Sequence, residues 1–241
     1  MEAGSNEVKI MNKEFETLLD YAKKLRSRYL NTLSSFKIFE RFNKLSAPNI
    51  VGRRKAEKNV KIFNIFKYFF ITTKEATRYY FFIELTKFFD TSKKSLTINK
   101  VINYAEKNIS KLTKQDFLDY HNNRQILPEL FAQYKPLSSS DLKKITKRLD
   151  RNKAIIKKLK IYRDKYLAHD DINKIKIGIS MKEIKVLLDI VKGVIELLYN
   201  KLDFSVNSYI NFEQEPIKDL DLMMENLIKF EEKKLINQKK I

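Results

Sequence analysis

The chain has 241 residues, no cysteine, four glycines and four prolines, with 43% hydrophobic and 33% charged residues. Disulfide frameworks, cysteine zinc sites and thiol nucleophiles are excluded, and there is apolar side chain enough for a sizeable core. Lys and Arg outnumber Asp and Glu by 49 to 30, a formal net charge of +19. Such an excess attracts polyanions, nucleic acid first; an AT-rich genome also inflates lysine, asparagine and isoleucine, so charge alone leaves function open.

Scarce glycine and proline and the spacing of apolar residues predict an all-α chain, with no segment alternating at period two. In chain order, a first helix is expected over residues 8–43, with Tyr29 to Ser34 as the place for a break, then a turn at Pro48-Asn49 and Gly52. A basic amphipathic helix follows over 53–70, and an almost wholly apolar or aromatic one over 75–89, expected at the centre of the core. A short helix over 97–107 and a looser stretch over 117–136 lead to a long helix over 139–168. After a polar connection come an apolar-striped helix over 181–202 and a last one starting at Pro216, a good first-turn residue, before a lysine-rich tail. Four helix starts are marked by a hydroxyl three residues before a carboxylate: Thr72 with Glu75, Thr113 with Asp116, Ser138 with Asp141, and Ser180 with Glu183. No repeat or linker divides the chain, so residues 1–241 are expected to form a single helical domain.

The start of the chain lacks a basic segment followed by an apolar core, and charges such as Lys67, Arg78 and Lys87 interrupt its most apolar stretch. Neither a signal peptide nor a membrane span is expected, and a cytoplasmic setting fits the absence of cysteine.

The end of the long helix carries an anomaly. Apolar positions fall at Leu142, Ile145, Leu149, Ile156 and Leu159, and the same alternation places Arg163 and Tyr166 on that stripe. A guanidinium where leucine is expected must face a carboxylate, a subunit interface or an anionic ligand. His169 follows where Asp170 and Asp171 suggest the helix stops. On a straight helix, six positions turn by roughly 240°, so one copy does not easily bring Arg163 and His169 together, whereas two copies across a twofold axis can. Histidine exchanges protons near neutrality and arginine offers phosphate a planar donor fork, a pairing sufficient for RNA cleavage without metal.

Arg163-Asp164-Lys165-Tyr166-Leu167-Ala168-His169 resembles the HEPN ribonuclease motif: arginine, a polar residue, further intervening residues, then histidine. Followed by Asp170, the motif resembles the abortive-infection and toxin branches of that superfamily, and the upstream Lys87-Phe88-Phe89-Asp90 and Leu96-Thr97-Ile98 are similar to the helix end and short-helix entry of the abortive-infection U-type group. The resemblance covers about residues 72–202. It implies an HEPN-like antiparallel helical bundle with additional terminal helices, a homodimer with both motifs at the interface, and a metal-independent endoribonuclease in antiphage defence or a toxin–antitoxin system. RNA is then the substrate, an antitoxin or other defence-system partner is expected, and no cofactor is needed. Arg163 and His169 would be catalytic, with Asp164 the polar residue that orients them.

Around these, Glu84, Tyr166 and Asp170 are candidate supporting residues. For Glu84, an acidic residue in the most apolar helix, the alternatives are an exposed edge or a structural salt bridge with Arg163. His121 is expected at the surface, and the aromatics of residues 79–89 are read as core and not as a base-stacking platform. Phosphate loops, dinucleotide fingerprints, nucleophile elbows and histidine pairs at metal-ligand spacing are absent from the sequence. The alternative function is a non-catalytic helical module that binds RNA or a protein partner.

Overall fold

The computed structural model describes residues 12–92, 94–121, 128–165, 178–206 and 208–238. Every regular element among them is helical: α1 (Lys13–Leu45), α2 (Pro48–Val51), α3 (Arg53–Ile65), α4 (Lys67–Phe88), α5 (Ile98–Lys107), α6 (Lys114–Tyr120), α7 (Pro128–Ala132), α8 (Ser139–Arg151), α9 (Lys153–Arg163), α10 (Met181–Leu202) and α11 (Ile210–Gln238), with a 3₁₀ turn at Ile109–Lys111. By contact, the described residues within Met1–Ser27, Thr86–Tyr162 and Lys176–Asn207 form one compact unit, and those within Arg28–Leu85, Arg163–Ile175 and Ser208–Ile241 a second. No helix among the described residues is long and apolar enough to cross a membrane.

The first unit is built on α10, which follows the expected stripe: Ile184, Leu187, Val191, Ile195 and Leu198 are all buried. Withdrawing each from water contributes about 1.5–3 kcal/mol. α8 packs on α5 and α10 through Leu142, Ile145 and Leu149. Three of the four expected helix starts are complete capping boxes, at Thr113, Ser138 and Ser180, each hydroxyl accepting from the amide three residues on and each carboxylate returning to the cap. α1 starts at Asn12, whose Oδ1 accepts from the Glu14 and Phe15 amides at 3.0 and 3.1 Å. Asn12 Nδ2 also donates to Asp116 Oδ1 at 2.6 Å, tying α1 to the α6 capping box.

The second unit has its own aromatic centre. Phe36 meets Phe81 edge-on at 5.5 Å, and Phe42, Phe63 and Phe70 form a cluster with Leu220 and Met224 of α11. Arg41 clamps α11 through both oxygens of Asp221, at 2.7 and 2.8 Å. Gly52, at φ +83°, is the sharp corner between α2 and α3 that a side chain would strain.

Five boundaries differ from the sequence reading. α1 is unbroken through Tyr29 to Ser34, because Thr32 returns its hydroxyl to the Arg28 carbonyl at 2.8 Å and sits fully buried. The break expected between residues 70 and 75 lies at Phe66, and Thr72 is therefore an exposed mid-helix residue and not a cap. Phe63, before the break, and Phe70, after it, meet edge-on with ring centroids 4.9 Å apart. The long helix is divided at Asn152, which turns its side-chain amide back to the Arg148 carbonyl at 2.8 Å. α6 and α7 occupy much of the looser stretch over residues 117–136. α11 begins at Ile210, so Pro216 lies inside it. The carbonyl its missing N–H leaves open, that of Phe212, receives the Ser34 hydroxyl at 3.5 Å.

Candidate active site

The motif begins where α9 ends. Leu159, on the inward stripe, is fully buried, and Arg163 stands one turn later with its side chain 24% exposed. The next residue is an anionic partner: Asp164 Oδ1 accepts from Arg163 Nε at 2.8 Å and from Nη2 at 2.7 Å. Asp164 and Lys165 adopt π-helical conformation, a widened turn often found where function bends a helix. The straight-helix geometry behind the predicted separation of Arg163 and His169 therefore ends at Arg163. His169, Tyr166, Asp170 and the polar connection fall outside the described residues.

Two cations of α8 and α9 are turned toward α10. Lys158 Nζ reaches Glu183 Oε1 at 2.6 Å, and that bond, joined by the Ser180 amide and hydroxyl, holds the Glu183 carboxyl down at about 2. Arg148 Nη2 reaches Asp189 at 2.5 Å across the surface of α10. The guanidinium passes close over Gly193, where a Cβ would lie 2.7 Å from Arg148 Nη1 and the flexible end of the arginine would have to shift. At the other end of α8, burial opposes ionisation of Asp141, but the Ser138 bond and the nearby Lys201 charge outweigh it and keep the carboxyl below its usual range. These contacts fix the helix that leads into the motif.

The remaining predicted residues are placed differently. Glu84, on α4, is not an exposed edge: its side chain is 15% exposed and pairs with Arg28 of α1 at 3.5 Å. His121 is not a surface residue. It ends α6 with its side chain 9% exposed, ringed by Phe15, Phe117 and Tyr120, and its Nε2 lies 2.9 Å from the Leu202 carbonyl. A carbonyl only accepts, so Nε2 carries the proton. The missed signal was Phe117, a full turn before it and on the same apolar face. Of the aromatics of α4, Phe81, Phe82 and Phe88 are core as expected, while Tyr79 and Tyr80 are exposed, with Arg78 stacked 5.2 Å over Tyr79.

Fold and motif together define an HEPN-like helical bundle: helices only among the described residues, and a helix that ends in an arginine bonded by the polar residue after it. Comparison of sequence agrees, because the family model HEPN_AbiU2, described as AbiU2, matches residues 15–221. The chain belongs to this HEPN AbiU2 family, and the match runs from α1 into α11, beyond the segment that carries the motif resemblance. No curated protein and no solved structure matches it.

Proposed function

We propose that the protein is a metal-independent endoribonuclease of the HEPN type, acting as an abortive-infection or toxin effector in the cytoplasm, on RNA and as a homodimer. The observation that carries this reading is the Arg163–Asp164 pair at the end of α9, within a chain of the AbiU2 family. Asp164 holds the fork by its Nε side, which orients a guanidinium for phosphate. In the proposed reaction His169 takes the proton of the ribose 2′-hydroxyl as that oxygen attacks the neighbouring phosphorus. Arg163 stabilises the charge that develops on the phosphate oxygens, and the departing 5′-oxygen recovers a proton. The products are a 2′,3′-cyclic phosphate and a 5′-hydroxyl. Two chains meeting at their α9 ends would complete the site, each giving Arg163 and His169, and an antitoxin would restrain it or an infection trigger would activate it.

The test is incubation of the purified protein with total RNA in EDTA. Cleavage by the wild type that is lost in His169→Ala, and abolished by deoxyribose at the cut position, is the expected result. Intact RNA across substrates would favour the non-catalytic binding module, and a strict magnesium requirement would overturn the mechanism.

A further inference from the structure

Besides Arg163 of the motif and Lys144, which pairs within α8 with Asp141, the cations of α8 and α9 fall into two sets. Arg148 and Lys158 are spent on carboxylates of α10. Lys143, Lys147, Arg151, Lys153, Lys157 and Lys160 have no hydrogen-bond or ion-pair partner among the described residues. Lys143 with Lys147, Lys147 with Arg151, and Lys153 with Lys157 are each four residues apart within their helix or across its last turn. Like charges at that spacing destabilise a helix. Folding gives no return for such a row, whereas a bound polyanion would.

Beside the row, within the same unit, lies a cleft of about 210 Å³. Phe88, Phe89, Ile98 and Ile156 supply its apolar lining, and Lys153 and Lys160 belong to its wall. Pockets for drug-sized ligands run to about 300–1,000 Å³, so this one suits a single planar ring system. Asn99 and Asp150 also line it, and both are exposed and without a partner among the described residues. An amide reads either kind of base edge, but a carboxylate only accepts, which favours a base bearing an amino group. Lys160 precedes Arg163 by three positions of α9, about 4.5 Å along the axis. We propose that the outer edge of α8 and α9 is a docking track for single-stranded RNA, with the lysines on its phosphates and the cleft taking one unpaired amino-bearing base, in preference to uracil, a helical turn before the motif. The occupant is a single strand because a base inside a duplex is not free to enter. The inference rests on the ribonuclease reading for its substrate but names a binding site separate from the reacting groups.

The experiment is fluorescence anisotropy of the full chain with labelled oligo-A, oligo-C and oligo-U over a range of salt, in EDTA. Lys147→Glu/Arg151→Glu/Lys157→Glu should weaken binding at least about tenfold and lower the log–log salt slope by about 2, at about 0.7 per lost phosphate contact. Lys61→Glu/Lys67→Glu, on exposed positions of the other unit, should stay within about twofold. Thr146→Trp, at an exposed position on the cleft wall, should remove the preference for A and C over U and leave the slope unchanged. Equal losses from both charge reversals, a base preference that survives Thr146→Trp, or binding to phosphatidylglycerol vesicles in place of RNA would each overturn the proposal. RNA bound along the track but never cut would retain the docking site and defeat the ribonuclease. Cutting that is lost in His169→Ala yet untouched by the triple reversal would do the opposite.

Discussion

Arg163 and Asp164 are adjacent in sequence and bonded to each other, one carboxylate oxygen accepting from both Nε and Nη2 of the guanidinium. With Asp164 half-exposed, at 51%, a surface pair of this kind contributes only about 0–1 kcal/mol to stability. Its consequence is directional: it sets where the fork points.

Activity and stability should therefore separate at these two positions. Arg163→Ala should lower RNA cleavage by about 10²–10³-fold, the usual cost of one charge-stabilising donor. Asp164→Asn should cost about tenfold, and both should move the unfolding free energy by less than about 1 kcal/mol. Single-turnover cleavage rates beside urea titrations check this, and a collapse of stability in either variant would make the pair structural.

Two hydroxyls with the same sequence signature should behave oppositely. Ser138→Ala removes a working cap and should cost about 1 kcal/mol. Thr72→Ala, exposed in the body of α4, should change stability by no more than about 0.5 kcal/mol. Denaturant midpoints at constant m-value separate the two.

Acid should loosen the contact between α9 and α10. The Glu183 carboxyl is depressed from 4.5 to about 2 in the folded chain, so its contribution is complete above the unfolded value and is lost as pH falls from about 4.5 toward 2. Glu183→Gln should be less stable than the wild type at neutral pH, with the gap closing over that window. Thermal melts at a series of pH values provide the measurement; a gap that widens on acidification would contradict the assignment.

Pro216→Ala should stabilise the protein by about 1–3 kcal/mol, since it restores an interior helix donor to the Phe212 carbonyl and relieves a poor helix former. The gain should shrink when Ser34 is also changed to Ala, because the serine now serves that carbonyl. A double-mutant cycle in urea measures the coupling.

Helix content, three working caps and the charged end of α9 at Arg163 were legible in the sequence because each is local. A capping box closes within four residues, an apolar stripe repeats every turn, and Arg163 stood out as a charge on such a stripe. The breaks were not legible. The kink at Phe66 answers to rings gathered around Phe42, the continuity of α1 to the burial of Thr32, and the early start of α11 to a hydroxyl from Ser34, a residue far away in the chain. His121 and Glu84 show the same limit: each is a polar residue whose partner, the Leu202 carbonyl or Arg28, becomes a neighbour only after the helices pack. The sequence alone determined which residues carry charge and which repeat with the helix. Tertiary structure decided which of those charges are neutralised, turning Arg148 and Lys158 onto α10 and leaving Lys143, Lys147, Arg151, Lys153, Lys157 and Lys160 without a partner among the described residues, because a salt bridge depends on distance in space and not on distance along the chain.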